Sequence, residues 1–325
     1  MITDTKIRII SYIRTNGHAR VKDLVNHLGI GYAALHRHLK SMIISGRLSK
    51  SGTAPKVFYT LAKIQTEIIP EINTLFDTYF VYVEPTGQLI TGIAGFRAWL
   101  KNVGKSAQEA SLLIRYTKDR EAVNALFSVQ GWIDATQNVS STFGSGMHLN
   151  GVYYKDFYSM PTFGKTRLGS LVLYAKQSEN RKLIQLTADE SRETIQKLIN
   201  HLHIDAIGFL PHSILRNVQF LKEFSRHLHL MLPNIEMTKA YPGEIRVAQK
   251  TLGKLEERVK NARETIFVDT VDRRYENVLL IDDAVGSAST LNETAKKLKQ
   301  MGIAQKVYGF AVVGSLKGFE VIREV

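Results

Sequence analysis

Apolar residues recur along this chain with two different periods, and the change between them divides it. Over residues 4–15 they fall at helical spacing through Ile7, Ile10 and Ile13, and Asn16-Gly17 breaks the run. Val21 to Leu28 repeats the spacing with Leu24 and Leu28, and Gly29-Ile30-Gly31 makes a sharp turn. Tyr32 to Ser45 reads as a third helix with core positions Leu35, Leu39 and Ile43. Gly46–Lys50 and Lys56–Leu61 read as a hairpin around Ser51–Pro55. From residue 203 the pattern becomes α/β. Strands are expected at Ile204–Leu210, Ile235–Thr238, Thr265–Asp269, Asn277–Ile281 and Val307–Val313, with helices at Leu215–Leu230 and Leu291–Met301.

The stretch between is less patterned. Tyr79–Glu84 and Gln88–Thr91 read as a hairpin around Pro85-Thr86-Gly87, followed by helices near Gly95–Asn102 and Ala107–Phe127. Thr136–Ser159 is polar, Gly-bearing and aromatic, and reads as an exposed loop. Leu168–Ala175 and Lys182–Leu186 read as a further hairpin, and Thr187-Ala188-Asp189-Glu190 as a capping box opening a helix to Asn200. Trp99, Trp132 and the Tyr and Phe residues here read as core. The expected organisation is three domains: 1–62, an α+β middle or hood region at 63–202, and 203–325.

One segment carries distinct chemistry. Val278-Leu279-Leu280-Ile281 runs into Asp282-Asp283 and then into Ala284-Val285-Gly286-Ser287-Ala288-Ser289-Thr290, with a helix expected from Leu291. An apolar run of this kind is a buried parallel strand, and the small residues make a tight turn opening a helix. Such a turn aims backbone N–H groups at an anion, and the helix N-terminus adds positive partial charge. Two acids at a strand end can accept hydrogen bonds from a vicinal diol, so a ribose 5-phosphate fits. The plainer alternative is a strand–turn–helix whose Asp pair only caps the helix.

This run resembles the phosphoribosyl-pyrophosphate (PRPP) motif of the type I phosphoribosyltransferases: four hydrophobics, two acids, then a small-residue phosphate loop. Ala288 stands where that family usually has Gly, so a positive φ there would cost about 1 kcal/mol. The resemblance implies a Rossmann-like parallel-sheet domain at the C-terminus. Asp282 and Asp283 would hold the 2- and 3-hydroxyls, and Val285, Gly286, Ser287, Ala288, Ser289 and Thr290 would grip the 5-phosphate. Pro211-His212-Ser213, after the first strand, falls where the family carries a pyrophosphate loop. Thr238-Lys239-Ala240 follows the next strand. Ile245–Asn261 supplies Arg246, Gln249, Lys250, Lys254 and Arg258. Gln249-x-x-Leu252, then Glu257-Arg258-x-x-Asn261 and Phe267, resembles the mobile loop of the ComF group. Lys239, Arg246 and Lys254 are the candidates for neutralising departing pyrophosphate; alternatively, the loop cations lie on a solvated amphipathic helix. Mg²⁺ would enter with PRPP, held mainly by the ligand and in part by Asp282 and Asp283.

Charge changes the picture at the other end. The chain of 325 residues has a net charge of +13, and residues 1–60 hold ten Lys and Arg against two Asp, a local balance of +8. Three helices and a basic hairpin look like a winged helix-turn-helix, whose third helix would enter the major groove of DNA. Tyr32, Ala33, His36, Arg37 and Lys40 occupy its outward positions, with Lys50 and Lys56 on or beside the wing. Arg37 is the expected base-edge contact and the lysines the phosphate contacts. His36 and His38 are two apart on a helix and do not face one another, which argues against a metal pair. The alternative is a winged helix used only for protein contact or dimerisation. The absence of Cys excludes disulfides, thiolate zinc sites and Cys nucleophiles, and fits a reducing cytosol. No apolar run reaches 18 residues, so no membrane partner is expected. A homodimer is expected, since winged-helix proteins commonly read paired half-sites.

Three functions are compatible with these features. One is a DNA-tethered phosphoribosyltransferase acting at ribose C1. Another is a transcription regulator that senses PRPP or a nucleotide, as a bacterial purine repressor also joins a winged helix to a phosphoribosyltransferase-like domain. The third is a nucleotide-acting effector of a toxin, retron or phage-defence module. The acceptor base is not legible.

Overall fold

The computed structural model of the chain describes residues 5–44, 47–53, 55–61, 69–84, 87–240, 254–269 and 273–316. They fall into two compact units, Met1–Glu121 and Ala122–Val325. No helix among the described residues is long and apolar enough to cross a membrane.

The first unit opens with three helices, α1 (Thr5–Asn16), α2 (Val21–Leu28) and α3 (Tyr32–Ile44). An antiparallel hairpin follows, β1 (Leu48–Ser51) against β2 (Phe58–Leu61), in register from Leu48↔Leu61 to Ser51↔Phe58. Ala54, at the expected crest, lies outside the described residues. Ala19, between α1 and α2, exchanges both backbone hydrogen bonds with Tyr59 at 2.9 and 2.8 Å, which ties the hairpin to the helices. Ile9, Ile13, Leu24, Leu28, Leu35, Leu39 and Met42 form the core. The apolar spacing read through Ile7 is not the buried one, since Ile7 is 57% exposed while Ile9 is buried, and Met42 rather than the expected Ile43 is buried on α3. Two isoleucine stripes on α1 satisfy the same helical spacing, and only the packing partners choose between them.

The same unit continues with α4 (Ile69–Tyr79), β3 (Val81–Val83) paired antiparallel to β4 (Leu89–Thr91), α5 (Gly92–Asn102) and α6 (Glu109–Asn124). Aromatic side chains hold it together: Phe76 lies 4.6 Å from Tyr116 and 4.9 Å from Phe96, ring centre to ring centre. Trp99, half-buried, stacks on the buried Phe96 at 5.7 Å, while Trp132 is buried as expected.

In chain order the second unit contains β5 (Ile133–Asp134), α7 (Thr136–Phe143), β6 (Gly151–Phe157), the short pair β7 (Ser159–Met160) and β8 (Gly164–Lys165), α8 (Arg167–Gln177) and α9 (Arg181–Leu202). Then come β9 (Ala206–Phe209), α10 (Phe220–Leu228), β10 (Met237–Lys239), α11 (Leu255–Thr265), β11 (Ile266–Val268), β12 (Tyr275–Val285), α12 (Ser289–Gln300) and β13 (Ala304–Gly314). The fold is mixed α/β around a five-stranded sheet ordered β5-β6-β13-β12-β9, parallel except for β5. Gly309 of β13 leaves room for Leu291 of α12, while Lys155 of β6 reaches Thr194 of α9 at 2.6 Å. Gly309 is in register with Val152, and three residues further along a strand a side chain points the other way. α12 and α9 therefore cover opposite faces. Val278, Leu279, Leu280 and Ile281 between them have no exposed surface.

Several expectations in residues 122–269 are corrected. Thr136–Ser159 is a helix and a buried strand, not an exposed loop; β6 joins the sheet and its Val152, Tyr154 and Phe157 are buried. The sheet thus draws strands from both sides of residue 202. Leu168–Ala175 is helical, because α8 is buried nearly all round through Leu168, Gly169, Ser170, Leu171, Val172, Leu173 and Ala175. A helix covered on all sides shows no 3.6-residue period and is easily taken for a strand. Helix α9 begins after Asn180, whose side chain accepts from the Lys182 and Leu183 amides at 2.9 and 3.3 Å. Thr187 lies inside that helix, its hydroxyl donating to Leu183 at 2.7 Å, and Glu190 pairs with Arg167 at 2.8 Å. β10 and β11 leave the parallel sheet and pair antiparallel with each other.

Candidate functional site

The sheet opens where two parallel strands end at different heights. β9 pairs with β12 only as far as Ile281↔Phe209, followed by one bond from the Leu210 amide to the Ile281 carbonyl at 3.0 Å. β12 runs four residues further, still paired with β13 to Val285↔Gly314. From Asp282 onward its β9-side edge therefore borders a cavity of about 750 Å³. This is the carboxyl end of a parallel sheet, where ligands of α/β proteins bind.

Pro211, His212 and Ser213 line the cavity on one side, and Thr238 and Lys239 of β10 on another. Asp282, Asp283 and the loop from Ala284 through Val285, Gly286, Ser287, Ala288 and Ser289 to Thr290 line its floor. Residues spread over eighty positions are thus brought together. The Lys239 ammonium donates to Ser213 Oγ at 2.8 Å, joining two of the walls. Burial, partly opposed by the Asp282 charge, lowers Lys239 to about 8.

Ala288 has φ 59° and ψ 12°, the left-handed conformation, and is buried at the start of α12. A side chain there costs about 1 kcal/mol relative to Gly. The turn persists because Ser287 Oγ and Ser289 Oγ lie 2.8 Å apart and the Asn292 amide donates to the Ala288 carbonyl at 2.8 Å. The N-cap residue Ala288 offers no capping side chain, and Ser287 Oγ accepts one amide, that of Ser289, at 3.4 Å, so the first turn of α12 can still aim N–H groups and positive partial charge at an anion.

The two acids differ. Asp283 accepts from Lys176 of α8 on both carboxylate oxygens, at 2.9 Å each. Asp282 accepts the Asp283 amide on Oδ1 at 2.8 Å. Burial first, and then the neighbouring Asp283 carboxylate, push Asp282 up to about 7. Lys176 was missed in the sequence because its helix reads as a strand. The usable signal was Thr166, whose side chain caps α8 by accepting from the Gly169 amide at 3.0 Å. Among the loop cations it is Arg258 of α11 that is buried and lines the cavity. Lys254 is exposed, just before α11, and does not line it. Arg246, Gln249 and Lys250 lie outside the described residues.

No group of three or more His, Asp or Glu side chains is arranged to hold a metal ion among the described residues. The acid pair does not fit a protein-held Mg²⁺, since Lys176 already bridges both oxygens of Asp283.

In the first unit, Tyr32, Ala33, His36, Arg37 and Lys40 are exposed on α3, opposite the buried Leu35, Leu39 and Met42. Lys50 is exposed on β1 and Lys56 in the connection between β1 and β2. Exposed cations on one helix and an adjacent hairpin can meet a polyanion.

Neither a protein-family model nor a curated protein sequence matches this chain. Among solved structures, a hypoxanthine phosphoribosyltransferase from Staphylococcus aureus is similar over 42% of this chain and 65% of its own length, with 12% identity and a TM-score of 0.25. At that degree of likeness the chemistry must be carried by the geometry of the cavity.

Proposed function

We propose that the second unit is a type I phosphoribosyltransferase-like domain that binds PRPP or a ribose-5-phosphate nucleotide and acts at ribose C1. One observation carries this: the acid pair, the small-residue turn and the Lys239–Ser213 wall line a single cavity at the sheet's carboxyl edge. The turn and the N-terminus of α12 would take the 5-phosphate, and Asp282 and Asp283 would accept from the 2- and 3-hydroxyls. Lys239 and the amides of His212 and Ser213 would receive pyrophosphate as the C1–O bond breaks and its electron pair leaves with oxygen. An acceptor nitrogen would then form the new bond at C1 and release its proton to solvent water. Positive charge developing at C1 would face the two acids, so the protein's contribution is positioning and electrostatics. Mg²⁺, carried by the pyrophosphate, would offset its charge.

Residues 5–61 are proposed to be a winged helix-turn-helix that binds DNA through α3 and the hairpin, with Arg37 at a base edge and Lys40, Lys50 and Lys56 at phosphates. That exposed cationic face favours a second reading, a PRPP-sensing transcription regulator. Calorimetry with PRPP and Mg²⁺, together with pyrophosphate release in the presence of candidate bases, tests both. Binding with release, lost in Asp282→Asn and Asp283→Asn, supports the enzyme. Binding without release, with altered affinity for DNA, supports the regulator. No heat with PRPP would sink both.

A further inference from the structure

The Lys176–Asp283 pair joins α8 to the end of β12 on the cavity wall. The two side chains are 14% and 15% exposed and both line the cavity. The ammonium bridges Oδ1 and Oδ2 of Asp283 symmetrically, at 2.9 Å each. Glu179, three residues beyond Lys176, accepts the Val218 amide at 2.9 Å, so the chain just past α8 is fastened to the segment that follows the 211–213 wall. Glu179 has φ 52°, a left-handed conformation that a residue with a side chain rarely adopts.

A sugar hydroxyl both donates and accepts a hydrogen bond. A lone carboxylate meets only the donor half, and a divalent cation coordinated beside it would meet the oxygen lone pair. Here an ammonium stands beside the carboxylate instead, offering donors and a compact positive charge. We propose that Lys176 takes, at the acid pair, the place of a protein-bound divalent cation: it neutralises Asp283 and donates to the sugar hydroxyl that Asp283 receives. The inference rests on the ribose-phosphate reading of the cavity. Its consequence is that ribose 5-phosphate, which has no pyrophosphate to chelate a metal, binds without any divalent ion.

The test is calorimetry of the full chain with ribose 5-phosphate, in chelator and in excess Mg²⁺, for wild type, Lys176→Met and Lys176→Gln. The Gln variant keeps a hydrogen-bond donor to Asp283 and serves if Met prevents folding. The wild type is expected to bind equally in the two conditions, within about twofold. Either variant is expected to lose about tenfold or more in chelator, the worth of one charge-assisted hydrogen bond, and to recover part of it with Mg²⁺. Electron paramagnetic resonance with Mn²⁺ gives an independent readout: a site absent from the wild type should appear in Lys176→Met and vanish when Asp283→Asn is added. A wild type that needs a divalent ion for ribose 5-phosphate, or variants that bind like the wild type in chelator, would overturn the role of Lys176 while leaving PRPP binding standing. A wild type that binds neither ribose 5-phosphate nor PRPP under any metal condition would overturn the ribose-phosphate reading and this inference with it.

Discussion

The three helices and hairpin of residues 5–61 and the cavity of the second unit gather their candidate residues in contrasting ways. On α3, Tyr32, His36, Arg37 and Lys40 share a face because they lie at helical spacing on one element, and the buried Leu35 and Leu39 turn them outward. The cavity instead draws Lys176 from a helix, Ser213 from a loop, Lys239 from a ribbon and Asp282 from a strand end. A face built within one element tolerates change elsewhere. A cavity built by four elements depends on the sheet that aligns them, and its groups perturb one another.

The largest expected effect separates the two directly. Asp282→Asn with Asp283→Asn should weaken PRPP binding by a hundredfold or more, about 3 kcal/mol, as two charge-assisted acceptors are lost. DNA affinity in a gel shift should not change; a parallel loss would mean the two regions are not independent. Next, Arg37→Ala should cost about 1–3 kcal/mol in DNA affinity and relax the sequence read, with PRPP binding untouched. Undiminished affinity would leave the first unit as a protein-contact module.

A pH series addresses the coupling inside the cavity. Asp282 is raised to about 7 and Lys239 lowered to about 8, so ligand affinity should peak between those values. Below the lower value Asp282 is protonated and loses acceptor strength; above the upper one Lys239 loses its charge. The stability consequence has a definite sign. The folded Asp282 holds a proton that the unfolded chain has already released, so its contribution to stability falls as pH rises from the ordinary carboxylate range to about 7. Asp282→Asn should reduce that decline in urea titrations across this window, and an identical pH dependence in the variant would refute it.

Smaller still, Ala288→Gly should raise stability by about 1 kcal/mol in the same titrations, by relieving φ 59°. A loss would place the turn's conformation under some other control. The weakest expected effect is Lys56→Ala, which should lower the slope of DNA affinity against salt by about one phosphate's worth of released counterion.

What could be read from the chain differed between the two regions for a physical reason. Segments that are amphipathic or that end in distinctive turn chemistry show their state locally. The helices of residues 5–44, the hairpin and the order of apolar strand, acids, small-residue turn and helix at 278–300 belong to that class. Segments covered on every side do not: α8 reads as a strand because no polar face marks its period, and β6 reads as a loop because Gly and polar residues flank its aromatics. The false capping box at Thr187 shows the same limit, since Glu190 serves Arg167 rather than a helix start.

Sequence alone was enough to determine that two carboxylates precede a run of small residues opening a helix, and that positive charge concentrates near the N-terminus. Only the tertiary structure decided that β9 stops short of β12, so that a cavity opens at Asp282. It alone decided that Lys239 meets Ser213, and that a lysine from a buried helix 107 positions away clasps Asp283. Local chemistry is written in neighbouring residues, whereas the height at which strands end and the direction a buried helix points are set by packing across the whole sheet.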